Sequence, residues 1–99
     1  STVVAMTVDD EIVKLRDLEQ VTSLLVTHQI RDAFYVARHE AVMVDESAQI
    51  LPASDSKSEL TRFMVLHEGR LLFEGSGKTL LASQDAYLKE FLFMTLPPW

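Results

Sequence analysis

An apolar segment that runs directly into an amphipathic helix is the feature that most constrains this chain. Residues 21–27 are rich in apolar and β-branched side chains and lack the alternation of a strand with one solvent face. They predict a short strand that is buried in a parallel sheet. His28 follows at its tip, and Ile30 and Phe34 continue at helical spacing. We therefore expect His28 at the carboxyl end of a strand, where open α/β sheets bind ligands.

The remaining pattern predicts one α/β domain over residues 1–99. Thr7, Ser76 and Asp85 are candidate N-caps, and the acidic run 9–11 suits a solvated helix start. Glu68 and Gly69 mark the turn of a hairpin. In chain order we expect helix 7–19, strand 21–27, helix 29–39, strand 41–44, a surface loop 45–61 with a brief strand near 49–51, hairpin 62–74, and helices 76–82 and 85–95.

Composition narrows the range of functions. The 99 residues carry a formal net charge of −6 and no block of basic residues, which argues against a nucleic-acid surface. The absence of cysteine removes disulfides and thiolate metal sites. No apolar run approaches the roughly 20 residues of a membrane span. His39 and His67 lack the spacing of a helical zinc site, so we expect no metal ligands among them.

A histidine at a strand tip has two interpretations. Its imidazole can donate to a phosphate oxygen and help to hold an attacking water in place. Alternatively, the side chain of His28 simply caps the strand or the helix that follows it. The local pattern alone favours the capping role over the phosphate-binding one.

The order of motifs along residues 7–95 resembles the end of the ATP-binding subunit of ABC transporters. Residues 24–29 (LLVTHQ), followed by Asp32 and Ala33, are similar to the switch-histidine region of that family, and 41–44 to the strand after it. Residues 67–75 (HEGRLLFEG) resemble its final hairpin. Residues 85–92 (DAYLKEFL) are similar to the C-terminal helix of the subgroup that serves MCE-type lipid transporters, also called the toluene-tolerance type.

The resemblance implies a partial P-loop NTPase subdomain with a short mixed sheet, a C-terminal β-hairpin and flanking helices. His28 would be the catalytic γ-phosphate sensor, with Thr27 beside it at the nucleotide. Gln29 and Asp32 would shape the switch and the subunit contact, and Trp99 would dock at the dimer interface. The intact parent would use ATP and Mg²⁺, pair with a second ATPase subunit, and drive a membrane permease from the cytoplasmic face of the cell membrane.

Several parts of that family's machinery do not occur in the sequence. The stretch before His28 contains no Walker A loop, glutamine loop, LSGGQ-type signature or Walker B strand, and the chain starts at Ser1. We therefore expect a C-terminal portion of a longer ATPase, which alone binds no ATP or Mg²⁺, hydrolyses no ATP, and tends to self-associate. The alternative is a complete small homodimeric binding or regulatory module without catalysis.

A second phosphate-binding pattern occurs at residues 75–79 (GSGKT). This run follows a strand and opens a helix, which is the context of a P-loop. A full P-loop needs a glycine five residues before Gly77, where Leu72 stands. We therefore favour a hairpin exit followed by a helix that Ser76 caps.

Overall fold

The structure is a computed structural model that describes residues 2–96. Five helices and four strands follow one another in these residues. They are α1 (Thr2–Leu18), α2 (Ile30–Arg38), β1 (His39–Val44), β2 (Ser47–Pro52), α3 (Asp55–Ser58), β3 (Phe63–His67), β4 (Arg70–Gly75), α4 (Gly77–Leu81) and α5 (Ala86–Thr95). The α/β class is confirmed.

The strands form two separate antiparallel pairs, so the predicted mixed sheet is wrong for the described residues. In β1–β2, Val44 faces Ser47 across a tight turn in which Asp45 and Glu46 both have positive φ, 50° and 66°. This hairpin and α3 replace much of the surface loop expected at 45–61. The β3–β4 hairpin turns at Glu68-Gly69 and confirms the predicted hairpin.

The four predicted helices are all formed, with bounds that differ mainly at the start of α1, whereas α3 was not predicted. Helix α1 begins at Thr2, five residues before the predicted start, so Thr7 is not its N-cap. The Ser76 hydroxyl accepts a hydrogen bond from the Thr79 amide at 3.1 Å, which confirms it as the cap of α4. Asp85 likewise caps α5 through the Leu88 amide at 3.0 Å.

Helix α2 lies at the centre of the packing because its two apolar flanks enter two different clusters. The larger cluster joins α2 to β3, α4 and α5, and its buried members are Ile30, Phe34, Ala37, Phe63, Leu80, Leu88 and Leu92. The smaller cluster joins α2 to α1 and β1 through Val13, Val36 and Ala41. The two clusters together hold α2 between α1 on one side and α5 on the other.

The predicted strand at 21–27 is not formed. These residues lie outside any helix or strand, and all of them are exposed. Leu24 and Val26 are 84% and 87% exposed. A strand that is apolar on both faces needs neighbouring strands and a cover on each face. The four described strands instead pair within two local hairpins, so the segment has no sheet to enter.

Candidate functional site

His28 lies at the N-terminal end of α2 rather than at a strand tip. It lines a small cavity of about 150 Å³ together with Gln29, Ile30, Arg31 and Thr95. Thr95 is the last residue of α5, so the cavity lies where the start of α2 meets the end of α5. The packing of both helices in the larger cluster brings these ends together.

The charges around this cavity favour an anion. The positive end of the α2 dipole points toward its first residues, Ile30 and Arg31, and Arg31 adds a full positive charge. Gln29 occupies the N-cap position but makes no capping bond with its side chain. A phosphate or carboxylate oxygen in the cavity would therefore face a guanidinium, an imidazole and a helix N-terminus.

The site residues predicted from the sequence are only partly brought together. His28 and Gln29 share the cavity, and the Thr27 hydroxyl accepts a hydrogen bond from the Gln29 amide at 2.9 Å. Asp32 does not line the cavity. It acts instead on the carboxyl of Asp9 in α1, whose pKa it raises. Trp99 lies outside the described residues.

Two residues of the site went unnoticed in the sequence. Arg31 lies three residues after His28 and lines the same cavity, so its charge close to His28 in the sequence is a signal that could have been used. Thr95 is 67 residues from His28, and only the packing of α5 on α2 brings it to the cavity. No local pattern in the sequence predicts that contact.

A group of acidic residues joins α1 to α2. Asp9 is only 4% exposed, so the expected solvated helix start at 9–11 is wrong for this residue. Burial, a hydrogen bond to Asp32 and repulsion from Asp32 and Asp10 raise the pKa of Asp9 from 3.8 to about 6. Beside it, the Tyr35 hydroxyl donates to Asp10 Oδ1 at 2.5 Å. Burial and this bond to Asp10 raise the pKa of Tyr35 to about 12.

A second set of polar contacts attaches the C-terminal end of α1 to its neighbours. Asp17 accepts hydrogen bonds from Arg16 Nε at 2.8 Å and from the Ala41 amide at 2.8 Å, and it pairs with Lys57 Nζ at 2.8 Å. Burial opposes ionisation here. The bonds from Arg16, Lys57 and the Ala41 amide outweigh it and hold the pKa of Asp17 well below its usual range. Arg16 also donates to the Val36 and His39 carbonyls, at 2.7 and 2.6 Å.

The 75–79 run is a capped helical turn, as we favoured over a P-loop. The Ser76 hydroxyl accepts a hydrogen bond from the Thr79 amide. It also donates a hydrogen bond to Thr79 Oγ1 at 3.0 Å. Gly77 is required by packing, since a Cβ there would lie 2.9 Å from the Phe34 ring and 3.1 Å from the Phe63 ring. Lys78 instead lines a cavity of about 490 Å³ between α2, α3 and α4.

The remaining histidines belong to local packing. His67 ends β3, and its ring stacks on Tyr87 with 3.8 Å between centroids. His39 begins β1 and stacks on Tyr35 at 4.0 Å. Within residues 2–96, no three histidine, aspartate or glutamate side chains converge as a set of metal ligands. None of the described helices has the length and apolarity needed to cross a membrane.

Comparison of the chain with protein-family models, with curated proteins and with solved structures gave no match.

Proposed function

We propose that this chain is the C-terminal portion of the ATP-binding subunit of an ABC transporter, of the type that serves MCE-associated lipid transport. In this proposal His28 senses the γ-phosphate of ATP. ATP and Mg²⁺ are held mainly by parts of the complete protein that precede these residues. The subunit works as a dimer on the cytoplasmic face of a membrane permease.

The observation that carries the proposal is the exposed apolar segment at 21–27. Its sequence is that of a two-sided strand, yet Leu24 and Val26 are almost fully exposed. Burying a side chain of this size contributes about 1.5–3 kcal/mol, so leaving consecutive ones in water forgoes several kcal/mol. A parallel sheet supplied by the rest of an ATPase would cover the segment on both faces. The segment then ends at Thr27, with His28 at the strand tip.

The polar groups at the start of α2 are of the kinds that bind the γ-phosphate of a nucleotide. In the proposed site the His28 imidazole donates to a γ-phosphate oxygen and orients the attacking water, while Arg31 and the α2 N-terminus offset the negative charge. The Thr27 hydroxyl accepts from the Gln29 amide, which fixes the turn that aims the imidazole. In this proposal, each of these groups stabilises the negative charge that develops on the phosphate oxygens in the transition state.

The test is phosphate release by the complete gene product that contains this stretch. His28→Ala should lower turnover by orders of magnitude and leave ATP affinity little changed, because the imidazole acts mainly in the transition state. His67→Ala is the matched control, since His67 stacks on Tyr87 in the β3–β4 region. Normal turnover in His28→Ala, together with normal ATP binding, would show that His28 has another role.

The alternative function is a stand-alone homodimeric binding module. The exposed 21–27 segment also favours it, because a second copy could cover the same side chains. A complete gene product that neither binds nor hydrolyses ATP, but forms a dimer that Leu24→Asp disrupts, would support this alternative over the ATPase.

A further inference from the structure

The cavity between α2, α3 and α4 is lined by charged side chains of both signs. Its volume of about 490 Å³ is within the range of small-molecule pockets, roughly 300–1,000 Å³. Helix α2 contributes Arg38 and α4 contributes Lys78. Asp55 at the start of α3 and Glu59 at its end supply two carboxylates. The cavity therefore offers donors for an anion and acceptors for a cation in one space.

These four charged groups do not neutralise one another. The ion pairs found within residues 2–96 all involve other side chains. Arg38 instead lies over the Phe34 ring, with 4.9 Å between its guanidinium carbon and the ring centroid. The charges of the four side chains are therefore available to a ligand.

Independent contacts hold the walls of this cavity in place. Lys57 of α3 pairs with the Asp17 carboxylate at 2.8 Å, and the Ala53 amide before α3 donates to the Arg38 carbonyl at 2.8 Å. Helix α4 is held by the close approach of its first residue to the Phe34 ring. The walls are thus formed before any ligand binds, which lowers the cost of ordering the site.

We propose that this cavity binds a small zwitterion with an apolar body, of the class formed by free amino acids and dipeptides. The carboxylate of the ligand pairs with Arg38 and Lys78. Its ammonium group pairs with Asp55 and Glu59. Its apolar part lies against the apolar lining of the cavity, which includes Phe34. This inference does not depend on the proposed ATPase role, since it concerns a different cavity from that of His28.

A ligand with a single charge fits these groups less well than a zwitterion does. A simple anion would approach the Asp55 and Glu59 carboxylates, and a simple cation would approach the two basic groups, so each would meet a like charge. A zwitterion meets an opposite charge at both of its ends. The balance of two cations and two anions therefore selects for a ligand that carries both charges.

The experiment is NMR titration of the 99-residue chain with the dipeptide leucyl-phenylalanine, followed through the backbone amide signals of the residues that line the cavity. We expect a dissociation constant of about 10 µM to 1 mM. N-acetylation of the dipeptide removes its ammonium charge, and C-terminal amidation removes its carboxylate. Either change should weaken binding by about threefold to tenfold. Free phenylalanine is titrated in parallel, and the tighter of the two ligands identifies the size that the cavity accepts.

Two variants separate a role in binding from a role in the fold. Lys78→Gln should weaken binding of the dipeptide by about threefold to tenfold but should not weaken binding of the amidated form, which has no carboxylate. Glu59→Gln should have the same effect on the dipeptide and should not weaken binding of the acetylated form. Lys89→Gln is the matched control, because Lys89 is an exposed lysine of α5 outside the cavity lining.

The outcomes separate clearly. Shifts at the lining residues, together with this charge-specific pattern in the two variants, support the zwitterion site. The proposal is overturned when neither ligand shifts those signals at about 10 mM, when the shifts lie elsewhere, or when the blocked dipeptides bind as tightly as the free one. Because the titration contains no ATP, none of these results bears on the proposed ATPase role.

Discussion

Replacing Asp17 by asparagine is the sharpest test of how α1 is fixed to the rest of the molecule. The Asp17 carboxylate is 5% exposed and receives three donors from three parts of the chain: the Arg16 guanidinium, the Lys57 ammonium and the Ala41 amide. An asparagine keeps the shape of the side chain but not its charge. Its NH₂ group replaces one acceptor oxygen, so it would face one of the three donor groups without forming a hydrogen bond. Two cations then remain without their anion.

The expected loss is large for a protein of this size. Removing one partner of a buried ion pair costs about 3–5 kcal/mol. Arg16 and Lys57 keep some access to water, with 21% and 32% of their side chains exposed, which favours the lower end of that range. We expect a loss of about 3 kcal/mol from a total of roughly 5–15 kcal/mol. At a urea dependence of about 1.5 kcal/mol/M, the midpoint falls by about 2 M.

The assay is urea unfolding followed by circular dichroism, with Glu11→Gln as control. Glu11 forms an exposed ion pair with Lys14 at 3.1 Å, and losing it should cost less than about 0.5 kcal/mol. Because the pKa of folded Asp17 lies below that of the unfolded chain, its contribution is present above about pH 4 and declines in more acidic solution. The difference between wild type and Asp17→Asn should shrink there. Equal midpoints for Asp17→Asn and Glu11→Gln would refute the reasoning.

Two further predictions follow from α4 and from the end of the chain. Gly77→Ala should destabilise the chain by about 1 kcal/mol in the same assay, because crowding of the Phe34 and Phe63 rings outweighs the helix preference of alanine. Exposed Lys78→Ala should change little, and a stabilised Gly77→Ala would contradict the packing argument. If the complete gene product is the dimeric ATPase proposed above, deletion of Pro97–Trp99 should weaken its dimerisation in analytical ultracentrifugation, and unchanged sedimentation would count against a docking role for Trp99.

Local signals in the sequence were sufficient for part of the fold. The β3–β4 hairpin follows from alternation around Glu68-Gly69, and α4 and α5 begin at the predicted caps, Ser76 and Asp85. Helix α2 follows from apolar spacing, and its bounds agree with the prediction to one residue. In each case the residues that define the element are neighbours along the chain.

The remaining features depend on contacts that the sequence does not display. The β1–β2 turn uses Asp45-Glu46 with positive φ, although turns of this kind usually contain asparagine or glycine. Because α1 begins at Thr2, the acidic run 9–11 lies within the helix, and Asp9 faces α2 rather than solvent. Whether residues 21–27 form a strand depends on neighbours, which no local pattern supplies.

The proposed ATPase would supply the neighbouring strands that residues 21–27 lack in this chain. Amide hydrogen exchange of this segment tests that proposal directly, in the 99-residue chain and in the complete gene product. We predict rapid exchange at the Leu24, Leu25 and Val26 amides of the isolated chain and strong protection in the complete protein, where they would donate to adjacent strands. Rapid exchange of these amides in both proteins would contradict the account.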